Sequence, residues 1–429
     1  MRCALSCSIA SVRAWEALDS RGNPTISCQV TLSGGACGVA SVPSGASRGR
    51  HEAMELRDGE ERYGGQGVRG AISNIERELA PAILGMDALG QQSIDAALVR
   101  CDGTAQLERL GGNAVLAVSI ANLVAAARAE RLPLYSLLTK GRTPRLPLPM
   151  VNMLSGGAHA GRLVDVQDFL VLPTGASTFA EAIEWASRVR AGTAAVANER
   201  GLNAALVADE GGLAFALPSN RSALELLSLG IERSGLELGE QCGIAIDVAA
   251  TQLFDGRHYS LSTEGRMLDR TALVDELVSW KSDFPIVSIE DPMADDDWEG
   301  WHVVSERLGD VQLVGDDLFA TNVRRLERGV VEGIANAVLV KPNQAGTISR
   351  AEEVVARARA AGYATIVSAR SGDTEDSWLA DLALGWDSGQ IKVGSTMRSE
   401  RTAKWNRLLH VESELGEDAV YAGKMALYR

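Results

Sequence analysis

The spacing of apolar and polar positions changes twice along the chain. Residues 8–58 carry short runs of β-favouring residues, at 9–18, 25–32 and 38–42. Turn-forming clusters at 20–24 and at Gly34-Gly35 separate them, which predicts a strand meander. Residues 68–138 hold long Ala, Leu, Ile and Val stretches of helical character. Gly111-Gly112-Asn113 interrupts these, and 114–131 predicts a strongly apolar helix packed on the sheet. A Pro- and Gly-rich stretch at 140–149 marks a boundary, so a unit 1–140 is expected before a unit 141–429.

Beyond that boundary, continuous apolar runs alternate with amphipathic stretches, and each run ends on a charged residue. Ala337-Val338-Leu339-Val340 ends on Lys341. Other runs end on Asp247, Glu290, Asp316, Arg370 and Lys392. From Glu290 onward these residues are 26, 25, 29 and 22 positions apart, about one strand plus one helix each. Charges at the carboxyl ends of successive parallel strands are how a (β/α)₈ barrel assembles an active site. The expected class is therefore α/β, with a C-terminal barrel and a smaller N-terminal α+β domain. Residues 205–210 read as one more buried strand, ending on Asp209 and Glu210, with Gly211-Gly212 allowing a tight turn. Helices are expected over 178–200 and 399–415.

Composition narrows the partners. At 429 residues, two domains are the default. A net charge of -14 argues against a nucleic-acid or anionic-membrane surface, and no run approaches the ~20 apolar residues of a membrane span. Six cysteines are scattered without a C-x-x-C pair, and the start lacks a signal-peptide core, so the cytoplasm is the expected location. The small, glycine-rich loop 43–50, with Ser47 and Arg48, can wrap an anion with backbone N–H groups. A plain surface loop fits the same composition.

Asp247, Glu290 and Asp316 are hard oxygen ligands on neighbouring strand ends, with no matching basic partner in the pattern. They suit Mg²⁺, with helix capping or arginine pairing as the structural alternative. Lys341 and Lys392 share the mouth, repel each other and sit near the metal. Both effects lower a lysine's pKa, so one of them can act as a base. Glu210, across the ring, is a candidate general acid. Together these groups imply an enzyme that abstracts a proton next to a carboxylate; enolase-superfamily sites are the standing example of that pairing.

The chain resembles the enolase family over essentially its full length. The matching stretches are Asp19-Ser20-Arg21-Gly22-Asn23-Pro24-Thr25, Val42-Pro43-Ser44-Gly45-Ala46-Ser47 and 51–58. In the barrel they are Asp209-Glu210-Gly211-Gly212, Ser288-Ile289-Glu290-Asp291-Pro292, 315–318 and Arg370-Ser371-Gly372. The resemblance implies an enolase-type barrel that departs from all-parallel at its start, two Mg²⁺ per active site and a small phosphorylated carboxylate substrate. It also implies a homodimer or higher homo-oligomer. By match, Lys341 would take the C2 proton of 2-phosphoglycerate and Glu210 would assist departure of the C3 hydroxyl. Asp247, Glu290 and Asp316 would hold one metal and Ser47 would help hold the second. His159, Gln167, Arg370, Ser371 and Lys392 would bind substrate.

Three positions depart from the family pattern: Ala369 stands where a histidine is usual, Asp168 where glutamate is, and Arg48 where threonine is. Loss of a positioned acid costs about 10²–10⁴-fold, and Arg48 adds a cation with bidentate capacity for phosphate or phosphonate. The first reading is accordingly a specialised paralogue acting on 2-phosphoglycerate or phosphoenolpyruvate with a second anionic substrate. Formation of carboxyphosphonoenolpyruvate in phosphonate natural-product biosynthesis is one such reaction. The alternatives are an ordinary glycolytic enolase and a non-catalytic binding protein.

Overall fold

The computed structural model describes residues 7–45 and 49–427. Ser47 and Arg48 lie outside the described residues. Near the start, β1 (Ile9–Leu18), β2 (Pro24–Leu32) and β3 (Cys37–Ser41) form an antiparallel meander in that order. Helix α1 (Gly112–Glu130) lies against it. Gly38 permits the approach: a Cβ there would stand 2.2 Å from the Ala121 carbonyl oxygen and 2.3 Å from the Ala125 nitrogen. By length and hydropathy α1 could cross a membrane, contrary to the expectation that no segment could. It is the central core helix of this unit, with 83% of its apolar window buried. Hydrophobicity on all sides is what a fully enclosed helix requires.

Eight strands then close a barrel. They are β4 (Leu148–Ser155), β5 (Asp168–Leu172), β6 (Gly243–Asp247), β7 (Ile286–Glu290), β8 (Gln312–Gly315), β9 (Ala337–Val340), β10 (Ala364–Ser368) and β11 (Gly389–Lys392). Strand β5 runs antiparallel to both neighbours, and every other pairing in the ring is parallel. The barrel thus departs from the all-parallel pattern at its start, as the resemblance implied. Reversal of β5 has a direct consequence for chemistry. Its first residue, Asp168, pairs with Ser155 and with Asp247, so an amino-terminal strand residue reaches the carboxyl-terminal rim.

Beneath that rim the interior is filled by Leu148, Met150, Leu170, Ala245, Leu339 and Ile366, among others. Gln312, Gln390 and Ser288 are also buried there and satisfy one another. The Gln312 amide donates to Ser288 Oγ at 2.9 Å, and that of Gln390 to Gln312 Oε1 at 2.6 Å. The floor is solid, so reactive groups can meet only at the rim. Helices α2 (Phe179–Glu199) and, near the carboxyl end, α3 (Ser399–Leu415) fall where the periodicity predicts, with Thr178 capping α2.

Residues 205–210 are not a strand. They form a turning loop above the rim, with Leu206 58% exposed and Val207 joined to Leu213 by an isolated bridge. An apolar run of this length does not by itself distinguish strand from loop.

Candidate active site

Successive strands in register bring the charged residues onto one rim. Asp247 pairs with Glu290 across β6 and β7, while Ser368 pairs with Lys392 across β10 and β11. Asp316, Lys341 and Arg370 follow the ends of β8, β9 and β10. A small cavity of about 40 Å³ collects Asp247, Asp316, Lys341, Arg370 and Lys392 with His159, Gln167 and Glu210. Every site residue expected from the sequence that lies within the described residues lines this hollow, except Asp168 and Glu290, which stand directly behind it.

The acids do have basic partners, which corrects the expectation of unpaired carboxylates. Lys392 Nζ donates to Asp247 Oδ2 at 2.8 Å and to Glu290 Oε2 at 2.7 Å, and Lys341 Nζ donates to Asp316 Oδ2. These pairings reverse the expected effect on the lysines. Burial alone would push Lys341 down, but Asp316 and Glu290 outweigh it and hold the ammonium above its ordinary range. Burial likewise opposes charge on Lys392, yet Asp247 and Glu290 raise it well above the ordinary lysine value. Sequence spacing placed two cations at one mouth but could not show which carboxylates they touch.

Carboxylates are still in excess. Oxygens of Asp291, Asp316 and Asp317 lie within 4.8 Å of one another. Asp291 accepts the backbone N–H groups of Asp316 at 3.0 Å and Asp317 at 2.7 Å, so it braces the loop that carries Asp316. Burial, then Asp316, pushes Asp317 up to about 7, and burial with the charge of Asp247 pushes Glu290 well above the carboxylate range. Glu290 Oε1 is buried without a hydrogen-bond donor among the described residues. Crowded hard oxygens, one of them unsatisfied, are a donor set that fits Mg²⁺. Gln167 holds Asp247 in place, its amide donating to Oδ2 at 3.1 Å and its oxygen accepting from Gln252 at 2.9 Å.

A second group stands across the hollow. His159, Asp168 and Glu210 bring ligand atoms within 4.8 Å of one another. His159 Nδ1 meets Asp168 Oδ2 at 2.9 Å, while Asp168 Oδ1 accepts from Ser155 Oγ at 2.8 Å and from Asn152 Nδ2 at 2.5 Å. Burial would push His159 down, but Asp168, Glu210 and Asp247 raise it to about 9, so it carries a proton at neutral pH. Burial pushes Glu210 up, yet His159, Arg401 and the two lysines together hold it below its usual range. Glu210 reaches the rim through a tight turn: Gly211 adopts φ +83°, and a Cβ there would meet the Met397 carbonyl oxygen at 2.6 Å. Ser395 N–H donates to the Glu210 carbonyl at 2.9 Å.

Arg370 is buried against Glu52, with Nη1 donating to Glu52 Oε2 at 2.8 Å and to Asn343 Oδ1 at 3.2 Å. Ser371 follows it, with its carbonyl accepting from Ser20 Oγ and from Arg401. Gln344 ties these halves together. Its amide donates to Asp316 Oδ1 at 3.1 Å, its oxygen accepts from Thr321 Oγ1 at 2.6 Å, and its backbone carbonyl accepts from Ala53 N–H at 2.8 Å. The sequence reading assigned no role to Glu52, Asp291, Asp317 or Gln344. The first three fall inside the matched stretches, which is the signal that could have singled them out.

Two sequence families match almost the whole chain: "Enolase, N-terminal domain" over residues 9–138 and "Enolase, C-terminal TIM barrel domain" over residues 143–429. The chain belongs to the enolase family. A protein named enolase from Rubrobacter xylanophilus is 50% identical over 417 residues, covering 97% of each chain. Family membership makes the protein an enolase-superfamily lyase, and the crowded rim carboxylates are consistent with the magnesium dependence general in that family.

Proposed function

We propose that this enzyme catalyses the ordinary enolase reaction, the reversible conversion of 2-phosphoglycerate to phosphoenolpyruvate and water. The supporting observation is the opposition, across one small hollow, of Lys341 and the His159–Asp168–Glu210 group. A base on one side and a proton-bearing group on the other suit removal of a C2 proton and departure of a C3 hydroxyl.

The specialised phosphonate reading, placed first on sequence, finds no support in the comparisons, and half identity to a protein named enolase favours the ordinary reaction. Its main motive was the imidazole missing at Ala369. His159 supplies an imidazolium beside Glu210, so the hollow keeps a proton donor. A non-catalytic binding protein would gain nothing from burying this many opposed charges.

Within this proposal Asp247, Glu290 and Asp316 would hold one Mg²⁺, with Asp291 and Asp317 as neighbouring oxygens, and Ser47 would contribute to a second. Bound Mg²⁺ would supply charge neutralisation for the substrate carboxylate and compete with the lysines for their carboxylates. Lys341, relieved of the Asp316 charge that holds its proton, would lose that proton to solvent and accept the C2 proton as the neutral amine. His159 and Glu210 share the proton delivered at C3, with Asp168 keeping Nδ1 of His159 occupied. Arg370, Ser371 and Lys392 face the phosphate and carboxylate, and Gln167 orients Asp247. As part of the same reading, residues 1–140 cap the 141–429 barrel, the protein works as a homodimer or higher homo-oligomer, and it acts in the cytoplasm.

Product analysis tests the proposal. Incubation of 2-phosphoglycerate with Mg²⁺, with and without phosphonates, should give phosphoenolpyruvate as the product in both cases. A product formed only when a phosphonate is present would restore the specialised reading.

A further inference from the structure

A second hollow, about 320 Å³, opens where the N-terminal segment meets the barrel, behind Gln344. Its size suits a small metabolite. His51 and Gln106 line one side. The other is lined by Arg324, in the first turn of the helix Val323–Glu332, and by Arg350, in that of the helix Ile348–Ala360. Other arginines of these helices pair with acids: Arg325 with Asp296 at 3.1 Å, and Arg357 with Glu327 at 3.9 Å. Arg324 and Arg350 have no carboxylate within 4 Å among the described residues.

Arg350 is the more telling of the two. It is half-buried, and among the described residues its guanidinium has only long contacts, from Nη1 to the Ala105 and Ala345 carbonyls at 3.5 Å each. Burial without a close counter-charge lowers its pKa, with Asp102, Asp95 and Glu353 opposing from a distance. Glu353 is the single acid in the wall, and it is exposed. In a chain of net charge -14, half-buried Arg350 without a close carboxylate is an arrangement that a bound anion would stabilise, with exposed Arg324 as a second donor at the same hollow. Planar forks of N–H donors match the oxygens of a phosphate.

We infer that this hollow binds a phosphate group, free or carried by a small metabolite, between Arg324 and Arg350, and that its occupancy is felt at Asp316 through Gln344. The second half of this inference rests on the proposed active site, because Gln344 lines both hollows and donates to Asp316.

Calorimetric titration of the full-length enzyme with inorganic phosphate tests it, with glycerol 3-phosphate as a second probe. Two classes of site are expected. One should disappear in Arg370→Met, and its absence from the unaltered protein would count against the active-site reading alone. The other should weaken about tenfold in Arg324→Ala, the loss of roughly one charge-assisted hydrogen bond, and vanish in Arg324→Glu. Arg324 is exposed, so neither change threatens folding; Arg350→Met should weaken the same class. Tighter binding of glycerol 3-phosphate there would identify a phosphorylated metabolite, and equal binding would identify phosphate itself. Absence of any class sensitive to Arg324 or Arg350 overturns the site. For the coupling, phosphate should inhibit the unaltered enzyme in a mixed pattern and Arg324→Ala in a purely competitive one. Purely competitive inhibition of both would overturn the link to Asp316.

Discussion

Replacing Asp168 by Asn removes one charge and keeps the side chain's shape. Asp168 Oδ2 meets His159 Nδ1 at 2.9 Å and is the largest influence raising that imidazole. The rise, from 6.5 to about 9, corresponds to about 3 kcal/mol of preference for imidazolium over imidazole. Without the Asp168 charge, burial is opposed chiefly by Glu210 and Asp247, and His159 should fall back toward its ordinary value. At pH 8 the unaltered protein would hold the proton and the variant would not. Phosphoenolpyruvate formation by the unaltered enzyme should therefore fall as pH rises through about 9, while the variant should lose activity near neutrality. Loss of a positioned acid predicts a fall of about 10²–10⁴-fold at pH 8. The same shift has a stability sign. A group whose folded pKa is raised adds stability that is fully present below about 6.5 and is lost as pH rises through about 9. Melting temperature should decline over that window in the unaltered protein and decline less in Asp168→Asn. NMR titration of the histidines, only five in the chain, reports the pKa directly. An unchanged His159 pKa in the variant, or an unmoved alkaline limb of the rate, would refute the reasoning.

Three further perturbations follow from the same geometry. Lys341→Ala should abolish exchange of the C2 hydrogen of 2-phosphoglycerate with deuterated water while leaving the circular dichroism spectrum unchanged. Lys392→Met leaves Asp247 and Glu290 side by side without their shared cation, and should cost about 3–5 kcal/mol in denaturant titrations without Mg²⁺; added Mg²⁺ should recover much of that loss. Gly38→Ala drives a methyl group into the backbone of α1 and should destabilise the N-terminal unit by about 1–3 kcal/mol or more, read as a shift in urea midpoint at unchanged slope.

Parallel strands β7 to β11 were legible because each is a short apolar run ending on a charge, and strand-end chemistry repeats with the βα unit. Asp168 and Glu210 show where that logic stops. Asp168 begins a reversed strand, so its place on the rim depends on strand direction, which the apolar pattern of residues 168–172 does not encode. Glu210 arrives on a loop, and an apolar run before it imitates a strand. The partners of the lysines are not legible in the pattern for a similar reason. Charge signs and spacing are one-dimensional, whereas Lys392 is governed by two carboxylates more than 100 residues away in sequence. Gln344 carries no charge and no motif in the pattern, and only its contacts with Asp316, Thr321 and Ala53 reveal it as the tie between the two halves.

Proton removal by Lys341 and hydroxyl departure assisted by His159 and Glu210 should occur on one substrate in one hollow. Following C2 hydrogen exchange and phosphoenolpyruvate formation together, in a single sample of unaltered protein with saturating Mg²⁺ and 2-phosphoglycerate, tests it most directly. Both should proceed, with product formed at a turnover of about 1–10³ s⁻¹. Rapid exchange without phosphoenolpyruvate would contradict it, since the base would then be working with no competent acid opposite.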